Sequence, residues 1–276
     1  MIFLALLTKE LRLRFRSERA IWVLVVYVLL LGAIGLITLA SAAANASTYY
    51  NPIDSTGKIL YYLLSFAQFL LIIFITPAFT ATAINSEKER QTYDLLLSSR
   101  LSGFALAAGK LLASLMNVFL LIAATIPFFS LVFFFGGVSL AQFLAMLVIF
   151  CVTVLLIGTV SLFLSTILRR PAVSTAVAYA VCLLWLGSPL FGTVFIIRQT
   201  SAIDTIIKIL VNVHPLLALM TVEPSFPQTI SGWLTLPPWI VFSSVNMLAT
   251  LFIFCLTTRL VRPKFLRSRK RQMESK

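Results

Sequence analysis

The chain has 276 residues, 60% apolar and 11% charged, with a mean hydropathy of +1.01. A water-soluble domain carries about 25% charged residues to form its polar surface, so the composition excludes a soluble fold. The 22 Lys and Arg outnumber the 9 Asp and Glu and give a formal charge of +13. In a soluble domain that excess would point to nucleic acid; here the position of the charges along the chain decides.

Residues 1–20 come first. Leu4, Leu7, Leu11 and Phe15 share one helical face, with Lys9, Arg12, Arg16 and Arg19 on an adjoining one. The spacing predicts an amphipathic helix lying in the membrane interface, its basic side toward anionic headgroups. Six apolar stretches follow, at 21–44, 59–84, 111–135, 140–167, 172–197 and 237–258, and none holds an Asp, Glu, Lys, Arg or His. A bilayer core about 30 Å thick needs about 20 apolar residues to cross, and backbone groups in lipid must bond within their own segment, so each stretch reads as a helix. The first is longer than the roughly 7–15-residue core of a signal peptide and is taken as a retained span. The expected fold is therefore all-α: a single polytopic membrane domain of six transmembrane helices.

With both termini cytoplasmic, only Lys58, Arg198 and Lys208 lie outside, balanced by Asp54, Asp204 and Glu223. Every other Lys and Arg then lies inside, as the positive-inside rule requires. The charge is thus an orientation marker, and nucleic acid is not an expected partner. The basic tail at 259–276, with Arg267, Arg269, Lys270 and Arg271, suits anionic lipid. Cys151, Cys182 and Cys255 all fall inside spans and read as small buried hydrophobes.

The longest inside segment, 86–110, reads SEKERQTYDLLLSSRLSGFALAAGK. Alternating charges (Glu87, Lys88, Glu89, Arg90) lead into Thr92, Asp94 and the cluster Leu95, Leu96, Leu97. Tyr93, Leu97, Leu101 and Phe104 fall on one face of a helix. A connecting loop alone could be far shorter, and leucines among charges on the water side suggest docking to a membrane or a protein.

This segment resembles the cytoplasmic loop of type-2 ABC-transporter permeases. Glu87, Glu89, Arg90, Thr92, Asp94, Leu95, Leu96, Leu97, Leu101, Ser102, Gly109 and Lys110 fit that family's pattern, while Gln91 stands where it usually has Gly and Arg100 where it usually has Pro. Thr8-Lys9-Glu10, the six spans and Asn212-Val213-His214-Pro215-Leu216 are also similar to the family. The resemblance implies that 86–110 is a coupling loop lying against a separate ATPase subunit. It also implies two ATPases, a second permease (identical or homologous), ATP and Mg bound by the partner rather than by this chain, and a bacterial or archaeal plasma membrane. The chain holds no phosphate-binding loop of its own: Ala108-Gly109-Lys110-Leu111 lacks both the glycine spacing and the hydroxyl.

Gln68, Thr76, Thr80, Asn117 and Asn246 are the candidate pathway residues, although such groups more often bond to their own helix or glue neighbours. Ala172, Ala176 and Ala180 allow close helix approach; packing within the chain is the preferred reading, a dimer contact the alternative. Residues 198–236 form the main outside segment, with a short interfacial helix expected around Ile203 to Leu210. Its His214 has no clustered ligand residues and reads as structural rather than metal-binding. No catalytic constellation is present. An ion-coupled carrier is a rival reading, but its usual ionisable residues within spans are missing. A non-transporting assembly or scaffold protein is the other rival. Uncharged spans suit hydrophobic or amphipathic cargo better than a bare ion.

Overall fold

A computed structural model describes residues 18–45, 52–89, 91, 103–196, 212–222 and 237–261. The N-terminal amphipathic face, the loop residues Arg90, Thr92, Asp94, Leu95, Leu96 and Leu97, the helix around Ile203 and the basic tail beyond 261 lie outside the described residues. Eight helices are described: α1 Glu18–Asn45, α2 Pro52–Thr80, α3 Asn85–Glu89, α4 Gly103–Phe135, α5 Leu140–Ile167, α6 Pro171–Ile196, α7 Pro215–Met220 and α8 Pro238–Val261. There is no strand among the described residues. Six of the helices, α1, α2, α4, α5, α6 and α8, are long and apolar enough to cross a membrane. The chain is an all-α polytopic membrane protein.

The bundle is built around α5, which packs against α2, α4, α6, α7 and α8. Of its span, 61% is buried, against 22% for α1. Phe69, Phe129, Phe150 and Phe242 are fully enclosed and share one core with Leu115, Met146 and Ile149. Helix α1 is peripheral. It turns Tyr27, Leu31 and Thr38 inward and leaves Trp22, Val26, Leu29, Leu36 and Ile37 exposed for lipid to cover.

The turn between α4 and α5 needs glycine. Gly136 and Gly137 have φ of 77° and 82°, a region that costs other residues a clash between Cβ and backbone. Ser139 then caps α5: its Oγ accepts from the Gln142 N–H at 3.3 Å, and Gln142 Oε1 accepts from the Ser139 N–H at 2.6 Å. This capping box satisfies two otherwise orphaned donors. At the same end, Gly57 on α2 lies in direct backbone contact with Gly136.

Two boundaries differ from the sequence reading. Helix α4 starts at Gly103, so the end of the 86–110 segment forms its first turns and Lys110 is a helical residue. Helix α2 stops at Thr80, and a turn over Ala81–Ile84 separates it from α3. The described part of the 198–236 segment enters the bundle. His214, 1% exposed, packs its ring 6.1 Å from that of Phe69 in mid-α2 and 6.0 Å from that of Trp185 in mid-α6. Ala172, Ala176 and Ala180 stand exposed on α6, so among the described residues this small-residue stripe is not covered by another helix.

Candidate coupling site

The α3 end of the bundle gathers several polar contacts between helices. Lys110 Nζ, on α4, donates to Glu87 Oε1 on α3 at 2.7 Å. The lysine side chain is 6% exposed and the glutamate 25%. A charge cannot be buried in an apolar helix bundle without a partner, and Glu87 is that partner. The next residue faces the other way. Lys88 Nζ donates to the Thr166 carbonyl at 2.6 Å, at the C-terminus of α5. A cation there meets both an orphaned carbonyl and the negative end of the helix dipole. Partial burial pushes the Lys88 amine below its usual value, and the neighbouring Arg169 adds to the effect.

Helix α3 is therefore fastened on two sides, to α4 through Glu87 and to α5 through Lys88. Glu89 is exposed. The two glutamates that the sequence pairs as equivalents are thus different: Glu87 points into the protein and Glu89 away from it. Gln91 closes the α3 turn, its N–H donating to the Lys88 carbonyl at 3.3 Å, with φ of 59°. It is the position where glycine would be unstrained. Phe104, grouped by periodicity with Tyr93, Leu97 and Leu101, packs edge-on against Phe254 of α8 at 5.5 Å; the other three lie outside the described residues.

The five pathway candidates are buried inside the protomer. Tyr27 OH donates to Gln68 Oε1, joining α1 to α2. Thr80 Oγ1 donates to the Thr76 carbonyl at 2.8 Å, and Asn246 Nδ2 to the Phe242 carbonyl at 2.9 Å, each within its own helix. Asn117 is 8% exposed. At the opposite end a cleft of about 10 Å³ lies between Lys58, Tyr62, Gln142 and Val222. That is room for a single water, not for cargo.

Sequence reasoning missed the polar contacts that straddle the α2–α3 break. Ser165 and Ser174 carry no signal by themselves, since serines inside apolar helices usually bond to their own backbone.

Six apolar helices around one core, with the charges gathered at the helix ends, define a polytopic membrane domain. The ABC-2 family transporter protein family matches residues 33–259, and the chain belongs to that family as an ABC-2-type permease. Comparison with curated proteins gave no match.

Proposed function

We propose that the chain is the membrane subunit of an ATP-driven exporter, working with a separate ATPase. The observation that carries this reading is the fastening of α3. A segment that receives motion from a partner must pass it on, and Glu87–Lys110 and Lys88–Thr166 tie α3 to two different spans. The distribution of basic residues puts the α3 end on the cytoplasmic side, where ATP is available.

In this reading two ATPase subunits bind ATP and Mg and close on one another, and each displaces the 86–110 segment of its permease. Exposed Glu89, with Arg90, Thr92, Asp94 and Leu95 to Leu97, meets the ATPase: leucines bury area there and charges set register. Glu87 acts from behind by holding α3 in place. A second permease, identical or homologous, completes the pathway, and the exposed Ala172, Ala176 and Ala180 stripe on α6 suits close approach of such a copy. Gln68, Thr76, Thr80, Asn117 and Asn246 line a path only when the spans part, because each is now enclosed. The cargo is hydrophobic or amphipathic, and the membrane is the plasma membrane of a bacterium or archaeon.

The test is co-purification of an ATPase subunit, followed by ATP-dependent flux in vesicles holding both chains. Glu89→Lys is expected to weaken association and flux together while the permease stays folded. Full association and flux in that variant would remove the docking role, and flux without any ATPase would favour the secondary-carrier reading.

A further inference from the structure

The break between α2 and α3 contains neither proline nor glycine: its residues are Ala81, Thr82, Ala83 and Ile84. A helix interrupted inside a bundle leaves backbone donors and acceptors that must find partners. Local bonds serve most of them: the N–H of Ala83 reaches the Thr80 carbonyl at 3.2 Å, that of Ser86 the Thr82 carbonyl at 3.2 Å, and that of Lys88 the Ile84 carbonyl at 3.2 Å. Three groups are served from elsewhere. Ser165 Oγ on α5 accepts from the N–H of Ile84 at 3.0 Å and of Asn85 at 3.1 Å. Ser174 Oγ on α6 donates to the Ala81 carbonyl at 2.8 Å. Both serines are 0% exposed.

The α2 chain thus ends, and α3 begins, on caps lent by two other helices. A cap lent by a side chain of another element holds only while the elements keep their relative position. Beside it sits Asn85, also 0% exposed, with neither side-chain amide atom engaged. Such a group costs free energy here, and a state in which it gains a partner is favoured by as much. Asparagine at the start of a helix is suited to capping nearby backbone N–H groups.

We propose that Ser165 and Ser174 are the pins of a joint on which α3 turns relative to α2, and that once Ser165 lets go the Asn85 side-chain oxygen accepts from N–H groups of the first turn of α3. Ser165 and Ser174 are positioning residues: they set two discrete attitudes of α3, one pinned by the hydroxyls and one capped by Asn85. As a device for passing on motion the joint rests on the permease reading above; as a mechanical element it does not.

The experiment places spin labels at exposed Glu89→Cys and Arg170→Cys in the full chain, its three cysteines replaced by alanine, in lipid nanodiscs without any ATPase. The unmutated joint should give one dominant separation and a minor second one. Ser165→Ala should raise the ratio of second to first by about tenfold, the effect of losing hydrogen bonds of ordinary net strength. Ser165→Thr, which keeps the hydroxyl, should restore it. Adding Asn85→Leu to Ser165→Ala should abolish the discrete second separation. A distribution unchanged by Ser165→Ala, or merely broadened without a second peak, overturns the joint. Should Ser165→Ala fail to fold, hydrogen exchange of the unmutated chain decides. The Ile84 and Asn85 amides should exchange faster than those of mid-α2, and equal protection overturns the proposal. Absence of any associating ATPase would overturn the proposed function and leave these distances to decide the joint.

Discussion

Lys110 on α4 and Glu87 on α3 meet at 2.7 Å in an ion pair whose side chains are 6% and 25% exposed. The pair lies at the edge of the apolar core, so each partner depends on the other more than a surface pair would. Lys110→Met leaves Glu87 without its cation and should destabilise the chain by about 2–3 kcal/mol, below the about 3–5 kcal/mol of a fully buried pair because water reaches the glutamate. Lys110→Met with Glu87→Leu should recover most of that loss. Thermal unfolding in one detergent checks both, and additive losses would show that the two residues are not coupled.

Gln91 adopts φ of 59° without being glycine. Gln91→Gly removes the clash of Cβ with the backbone and should raise stability by about 1 kcal/mol. Gln91→Val, branched at Cβ, should lower it by more. Unfolding midpoints in the opposite order would mean that the side chain makes a compensating contact.

Two glycines should respond differently to alanine. At Gly158 a new Cβ would lie 2.6 Å from Leu115 Cδ2, the movable end of a side chain. At Gly57 it would strike the Gly136 carbonyl, which is backbone. Gly158→Ala should cost about 1 kcal/mol or less, whereas Gly57→Ala should exceed the roughly 1–3 kcal/mol usual for overpacking. Comparable losses at the two sites would refute this ordering.

Lys88 is lowered from its ordinary value first by burial and then by Arg169. A base whose folded value lies below its unfolded one favours unfolding wherever both states are charged. Its contribution improves only as pH rises through the window just below about 10.5. Arg169→Gln should move the Lys88 titration upward and narrow that window. Nitrogen NMR of labelled lysine against pH checks it, and an unmoved titration would leave burial as the sole cause.

The six spans are legible because their signal is local: long apolar runs without a charge can be read one segment at a time. The end of α2 is not. Ala81, Thr82, Ala83 and Ile84 could continue a helix, and it is Ser165 and Ser174, far along the chain, that stabilise the interruption. Lys110 misplaces the start of α4 for the converse reason, since a charge reads as water-side until its partner is known. Helix α7, Pro215–Met220, is too short for periodicity to declare. The family pattern singles out residues 86–110, but which glutamate faces inward depends on a contact with α4 that spacing within the loop cannot express.

The backbone contact of Gly57 with Gly136 gives α2 a fulcrum. No side chain there can yield, whereas the other end of the helix runs into a turn held by the Ser174 and Ser165 hydroxyls, which can be exchanged. Helix α2 spans Pro52–Thr80, about 40 Å at 1.5 Å per residue. A tilt of about 5° about the glycine contact then carries its Thr80 end through about 3 Å while the far end hardly moves. Displacement is graded along the span, greatest where α3 begins and least where the chain turns through Gly136 and Gly137.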